Sequence, residues 1–196
     1  MRLMVALCGL ILLLLAVLTS RAARAQQPES RRKTLTPEQQ EYQRKWKEYV
    51  ANRPGLQVRA KQIFDTEMDR EKTGECPDAK TTYDINVCFG KEVATTDQNL
   101  TNYEALIREL ISSAPDMPGA PASGPAGPAL TSAESTAEFG RVEQAWWQYR
   151  DVACKAARNQ MGGGTAAPSS EMRCEIDLDR SHMRELDSIY RLELHK

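Results

Sequence analysis

Apolar residues recur along this chain three or four positions apart, and no long run of alternating β-branched residues appears, so the pattern predicts an all-α protein. The first helical signal is Thr36-Pro37-Glu38-Gln39: Thr as N-cap, Pro at the first helical position and Gln three residues after the cap. Tyr42, Trp46, Tyr49 and Val50 follow as a stripe, read as core-facing, and Asn52-Arg53-Pro54-Gly55 predicts a stop. A second helix is expected from about Leu56 to Lys72, with Ala60, Ile63, Phe64 and Met68 on its apolar face. A long helix is expected from Ala79 to Ser112, carrying Ile85, Cys88, Leu100, Tyr103, Ile107 and Leu110 on one face. Thr131-Ser132-Ala133-Glu134 is a capping-box signal for a helix reaching Met161, with Phe139, Val142, Trp146, Tyr149, Ala153 and Ala156 as its stripe. The last helix is expected from Ser170 to Leu194, with Met172, Ile176, Met183, Leu186 and Tyr190 on one face and Asp179 as the single polar break.

Two stretches interrupt this pattern. Residues 113–131 are dense in proline and glycine, which excludes helix and sheet and predicts a flexible insertion. Residues 1–25 hold an apolar run from Leu3 to Leu18, short for a membrane span, and end in Ala23-Arg24-Ala25. That is the pattern of a secretory signal peptide cleaved after Ala25. The competing reading is a membrane anchor formed by residues 3–18, favoured by the basic residues that follow the run. Residues 26–35 form a polar leader. The organisation expected is therefore a signal peptide (1–25), a flexible leader (26–35), an N-terminal helical pair (36–72) and a four-cysteine domain (73–196).

Removing residues 1–25, with three arginines and no acids, leaves 23 basic against 27 acidic residues. Mild acidity argues against nucleic-acid binding and is compatible with a cationic partner. It also leaves four cysteines: Cys76, Cys88, Cys154 and Cys174. An even count behind a signal peptide predicts two disulfides and a secreted or periplasmic location. Three pairings are open, and the local one, Cys76–Cys88 with Cys154–Cys174, closes the shortest loops and is the one expected. Zinc is the competing use, but neither spacing is the short C-x2-C kind.

Candidate chemistry is sparse. The chain has two histidines: His182, placed by spacing off the apolar stripe of the last helix, and His195, near the terminus. No HExxH, GxSxG or P-loop is present, and Glu175, Asp177 and Asp179 are read as a solvated helical face. No catalytic, cofactor-binding or metal residues are predicted, and the chain is read as a binding protein and not an enzyme.

The densest stretch is Trp146-Trp147-Gln148-Tyr149-Arg150-Asp151-Val152-Ala153-Cys154, where helical spacing puts Trp146, Tyr149, Arg150 and Cys154 on one face. Arg150 is expected to pair with a carboxylate on the last helix. The Trp146-x-x-Tyr149-Arg150-Asp151-x-x-Cys154 motif, with the Cys76–Cys88 segment, Cys174 and the signal peptide, resembles the LprI-like lysozyme-inhibitor domain. That family comprises small exported bacterial helical proteins. The resemblance spans about Cys76 to Leu194 and omits residues 36–72. Several positions depart from the family pattern. Glu143 stands where Gln is usual, Leu100-Thr101-Asn102-Tyr103 is shifted by one residue, and Asp179 and His182 align with a usual Thr and Arg. The resemblance implies disulfides, a helical bundle and inhibition of a lysozyme-type cell-wall hydrolase, with Trp146, Tyr149, Arg150 and Asp151 as a structural motif. The alternative is an envelope interaction or stress protein with no hydrolase partner. No membrane partner is expected after signal cleavage, and oligomeric state and target stay open.

Overall fold

Pro54 does not end the first helix. In the computed structural model, which describes residues 35–118 and 130–195, one helix, α1, runs without interruption from Pro37 to Thr73. The predicted stop at residues 52–55 is therefore corrected. A proline inside a helix removes one backbone hydrogen bond, clashes with the preceding turn and costs about 3 kcal/mol. Here contacts on both sides of it offset that cost. Tyr49 Oη donates to Glu193 Oε2 at 3.1 Å, Arg53 Nη2 to the Leu192 carbonyl at 2.6 Å and Gln57 Nε2 to the Glu193 carbonyl at 2.6 Å. Leu56 and Ala60, just beyond the proline, are buried in the core. Both flanks of the joint are docked, so the helix continues.

Helix α2 spans Thr82–Ser113, α3 Ser132–Asn159, α4 Ala167–Ile189 and α5 the short turn Arg191–Leu194. The capping box expected at Thr131 is present, with Glu134 as its reciprocal partner. A second, at Thr81 with Asp84, starts α2 three residues later than the sequence suggested. Between α3 and α4 the chain reverses through Gly162 and Gly163, both at positive φ, which glycine adopts without steric cost. The last helix pauses at Tyr190, so its expected span is divided between α4 and α5. No strand occurs among the described residues. The signal segment and the leader up to residue 34, and most of the Pro/Gly insertion, lie outside the described residues.

Residues Pro37–Lys196 form one compact unit; of the other, Met1–Thr36, only Leu35 and Thr36 are described. Within the larger unit, α2 and α4 run parallel, as Asp97 lies near Asp179 and Tyr103 Oη bonds Asp187 at 3.1 Å. Helix α3 lies antiparallel across both, and α1 packs antiparallel along α2. The apolar core joins Leu56 and Ala60 of α1, Leu100 to Ile111 of α2, Phe139 of α3, and Met183, Leu186 and Leu194. It fills the half of the bundle near the C-terminal turn. The opposite half, where α2 and α4 begin and α3 ends, has among the described residues only Phe89, Ala167, Ile176 and Cys154 as buried apolar side chains. Both disulfides sit there. Cys76–Cys88 clips the α1–α2 connection onto α2, and Cys154–Cys174 joins α3 to α4, which is the expected pairing. Each closes a loop of 12 or 20 residues, worth about 3 kcal/mol by chain entropy.

Candidate functional site

The Trp146–Cys154 stretch lies in the middle and end of α3, and its inward side is set by Glu143, Arg150 and Cys154, all buried. Arg150 is 7% exposed and reaches two helices at once. Its guanidinium lies 2.5 Å from Asp97 of α2, 2.7 Å from Asp179 and 4.0 Å from Glu175 of α4, and stacks over Trp147 at 5.0 Å. The expected carboxylate partner on the last helix is thus Asp179. The reading of Asp179 as part of a solvated face is corrected, because it is fully buried. Burial pushes its carboxyl up to about 8, helped by a hydrogen bond shared with Asp97 and opposed by Arg150. By reaching Asp97 of α2 and Asp179 of α4 from α3, Arg150 locks the three helices together.

His182 also departs from expectation. It is 3% exposed, and its ring stacks on Trp146 at 4.3 Å with the planes 9° apart. Trp146 in turn meets Trp147 edge-on at 4.9 Å. His182 Nε2 faces Glu104 Oε1 at 3.7 Å, and Glu104 is itself 5% exposed. Burial and the neighbouring Glu143 push Glu104 up to about 7, against a hydrogen bond from Trp147 and the charge of Arg108. Burial holds His182 below its ordinary value, against Glu185. Both shifts favour the uncharged form of each group, which lets the imidazole and the carboxyl share this buried space. An acid–base pair of this kind has catalytic chemistry in principle, but its burial leaves no surface for a substrate.

A third polar cluster ties α1 to this assembly. Glu67 is fully buried and accepts from Arg180 Nε at 2.9 Å, Asn99 Nδ2 at 2.7 Å and Thr96 Oγ1 at 3.2 Å, with Arg70 also bound to it. Burial would raise its pKa, but these hydrogen bonds and the charges of Arg70 and Arg180 win and hold it low. Arg180 also pairs with Glu75, and Arg70 with Glu92.

Tyr149 and Asp151 point the other way. Tyr149 is 60% exposed, and among the described residues Asp151 pairs only with Lys155 of its own helix, at 2.7 Å. The predicted shared face of Trp146, Tyr149, Arg150 and Cys154 therefore loses Tyr149, and Val142 leaves the predicted stripe with it. Glu104, Asp97, Glu67 and Arg180 escaped the sequence reading. Each was visible as a charged residue at an i, i+3 or i+4 step from apolar core positions, as Glu104 is from Leu100 and Ile107. Among the described residues no group of three His, Cys, Asp or Glu is placed to hold a metal ion, and no helix is long and apolar enough to cross a membrane.

A family model described as "Lysozyme inhibitor LprI" matches residues 74–186, more than half of the chain. No curated protein and no solved structure gives a match.

Proposed function

The chain belongs to the LprI lysozyme-inhibitor family, and from that membership we propose that it is an exported binding protein that blocks a lysozyme-type cell-wall hydrolase. The family match over residues 74–186 carries this reading. The two disulfides support export, since such bonds persist in oxidising compartments. The apolar run at residues 3–18 and the Ala23-Arg24-Ala25 signal support a cleaved leader peptide. Under this reading Trp146 and Arg150 are scaffold, because they are turned into the helix seam, and inhibition is the work of the exposed surface.

The test is a lysozyme turbidity assay on a bacterial cell-wall suspension, with the oxidised protein starting at Gln26 and a reduced, alkylated sample beside it. The expected result is dose-dependent protection of the walls that disappears on reduction. Absence of protection against several lysozyme types would overturn the reading. A partner unrelated to hydrolases is favoured by one observation. Helix α1 lies outside the family match and leaves Trp46 and Val50 nearly half exposed, and a pull-down with the mature chain would find such a partner.

A further inference from the structure

An apolar hollow of about 540 Å³ opens where α2 ends, α3 begins and α4 passes into α5. Met117, Leu130, Ile189 and Leu192 line it, and each is more than half exposed, at 64%, 53%, 65% and 62%. Single exposed apolar side chains are ordinary on any protein surface; several gathered in one concavity are not. The edge of this hollow is acidic. Asp116, Glu138 and Glu193 line it, and no lysine or arginine does. Asp116 accepts from the Ser132 amide at 2.6 Å and Glu193 is partly offset by Arg53 at 3.2 Å. Glu138 has no ion-pair partner among the described residues, so its charge is available.

The other exposed apolar surfaces have a different character. The outer side of α3, with Val142, Tyr149 and Val152, is flanked by Arg141 and Lys155. The Tyr83–Val87 surface has Lys91 in its wall. The exposed Trp46 on α1 stands among Arg44, Lys45 and Lys47. Only the hollow beside α5, among these four, combines an apolar floor with an acidic edge free of lysine and arginine, on which Glu138 has no ion-pair partner among the described residues.

Resting on the hydrolase-inhibitor reading above, we propose that this groove is the docking site for the hydrolase, taking an apolar side chain of a cationic partner between Met117, Ile189 and Leu192 while flanking lysines or arginines meet Glu138 and Asp116. Charge at the edge steers encounter and suppresses wrong partners, and the apolar floor supplies the desolvated contact that slows release. The occupant is a protein of net positive charge, because an acidic edge of this kind repels an anionic one.

The test uses Leu192→Lys and Glu138→Lys in the full mature chain, with Val152→Lys as a remote exposed control. Glu138 and Val152 are 14 residues apart on one helix, which is about 21 Å along its axis. The readouts are half-inhibitory concentration against a cationic lysozyme in the turbidity assay, melting temperature, and sedimentation. The expected result is at least a tenfold loss of inhibition for both groove variants, none for the control, and melting temperatures unchanged. Inhibition by the wild type should also weaken with added salt, and less so in Glu138→Lys. Wild-type inhibition retained in both groove variants would overturn the groove and leave the inhibitor reading standing. Loss in the Val152→Lys control to the same degree would also overturn it. A wild-type dimer dispersed by Leu192→Lys would assign the groove to a second copy instead. A wild type that inhibits no lysozyme would remove both readings together.

Discussion

Replacing Arg150 by Ala tests the seam between α2, α3 and α4 at its centre. The guanidinium is almost completely buried and holds Asp97, Asp179 and Glu175 within 4.0 Å while covering Trp147. Truncation leaves Asp179, which has no solvent exposure, without its counter-ion. Removing one partner of a buried pair costs roughly 3–5 kcal/mol. Asp179 can limit that loss by holding a proton, because its carboxyl already sits at about 8 with Arg150 in place. At neutral pH the lower end, about 3 kcal/mol, is therefore expected. For a chain of this size that corresponds to a fall in melting temperature of roughly 6–12 °C. The deficit should grow with pH. Both proteins keep the Asp179 proton at pH 5 and 7; as pH rises through 8 the wild type ionises beside Arg150 and the variant has nothing to offset that charge, so the gap widens towards pH 9. Circular-dichroism melts of the oxidised proteins at pH 5, 7 and 9 measure both effects. A melting temperature within 2 °C of wild type at pH 9, or a gap that narrows as pH rises, would refute the reasoning.

Other expectations follow from the same structure. Glu104 and Asp179 both have folded-state values raised, to about 7 and about 8. The folded chain keeps these protons where the unfolded chain has released them. Their contribution to stability is complete below about pH 4 and is lost as pH rises through 7 and 8, so the oxidised protein should melt lower at pH 9 than at pH 6. Glu104→Gln should flatten that slope, and an identical slope in the variant would count against Glu104 as its source. Cys154→Ser with Cys174→Ser should cost about 3 kcal/mol, and hydrogen exchange should accelerate at the start of α4 and the end of α3 ahead of the Leu100–Ile111 core. Uniform acceleration across the bundle would contradict a local latch. Pro54→Ala should stabilise by roughly 1–2 kcal/mol, since the recovered helix bond outweighs the added freedom of the unfolded chain. A lower melting temperature in Pro54→Ala would mean that the helix depends on the proline itself.

The all-α class, the Thr131 cap, the disulfide pairing and the Arg150 partner on the last helix were legible because each depends on local spacing. Asp179 was only half legible: a lone acid three residues from Ile176 and four from Met183 interrupts an apolar face, and a buried acid needs a cation, yet beside Glu175 and Asp177 it read as solvated. The continuity of α1 was not legible. Asn52-Arg53-Pro54-Gly55 carries every local stop signal, and what overrides them is docking to Leu192 and Glu193, about 140 residues later. His182 was missed for a related reason. Its position looked peripheral on α4 alone, but Trp146 of α3 closes over it. Tyr149 erred in the opposite direction. A 3.6-residue repeat places it near Trp146 on a projection, yet the inward arc of α3 is centred on Glu143 and Arg150, polar residues that a hydrophobic pattern passes over. The groove beside α5 was invisible for the same reason, since its walls come from three separate helix ends.

The uneven placement of apolar mass along the bundle gives the two ends different clocks. The half built on Leu100–Ile111, Met183 and Leu186 can collapse as soon as the chain is in water. The other half, with few buried apolar side chains and two sulfur bridges, leans on those bonds for its closure. Reduction is therefore expected to loosen this half first and to leave the apolar half standing, which hydrogen exchange on the reduced protein would read. Oxidation completes the protein, and it does so at the end that carries the Cys76 connection and the Gly162–Gly163 reversal.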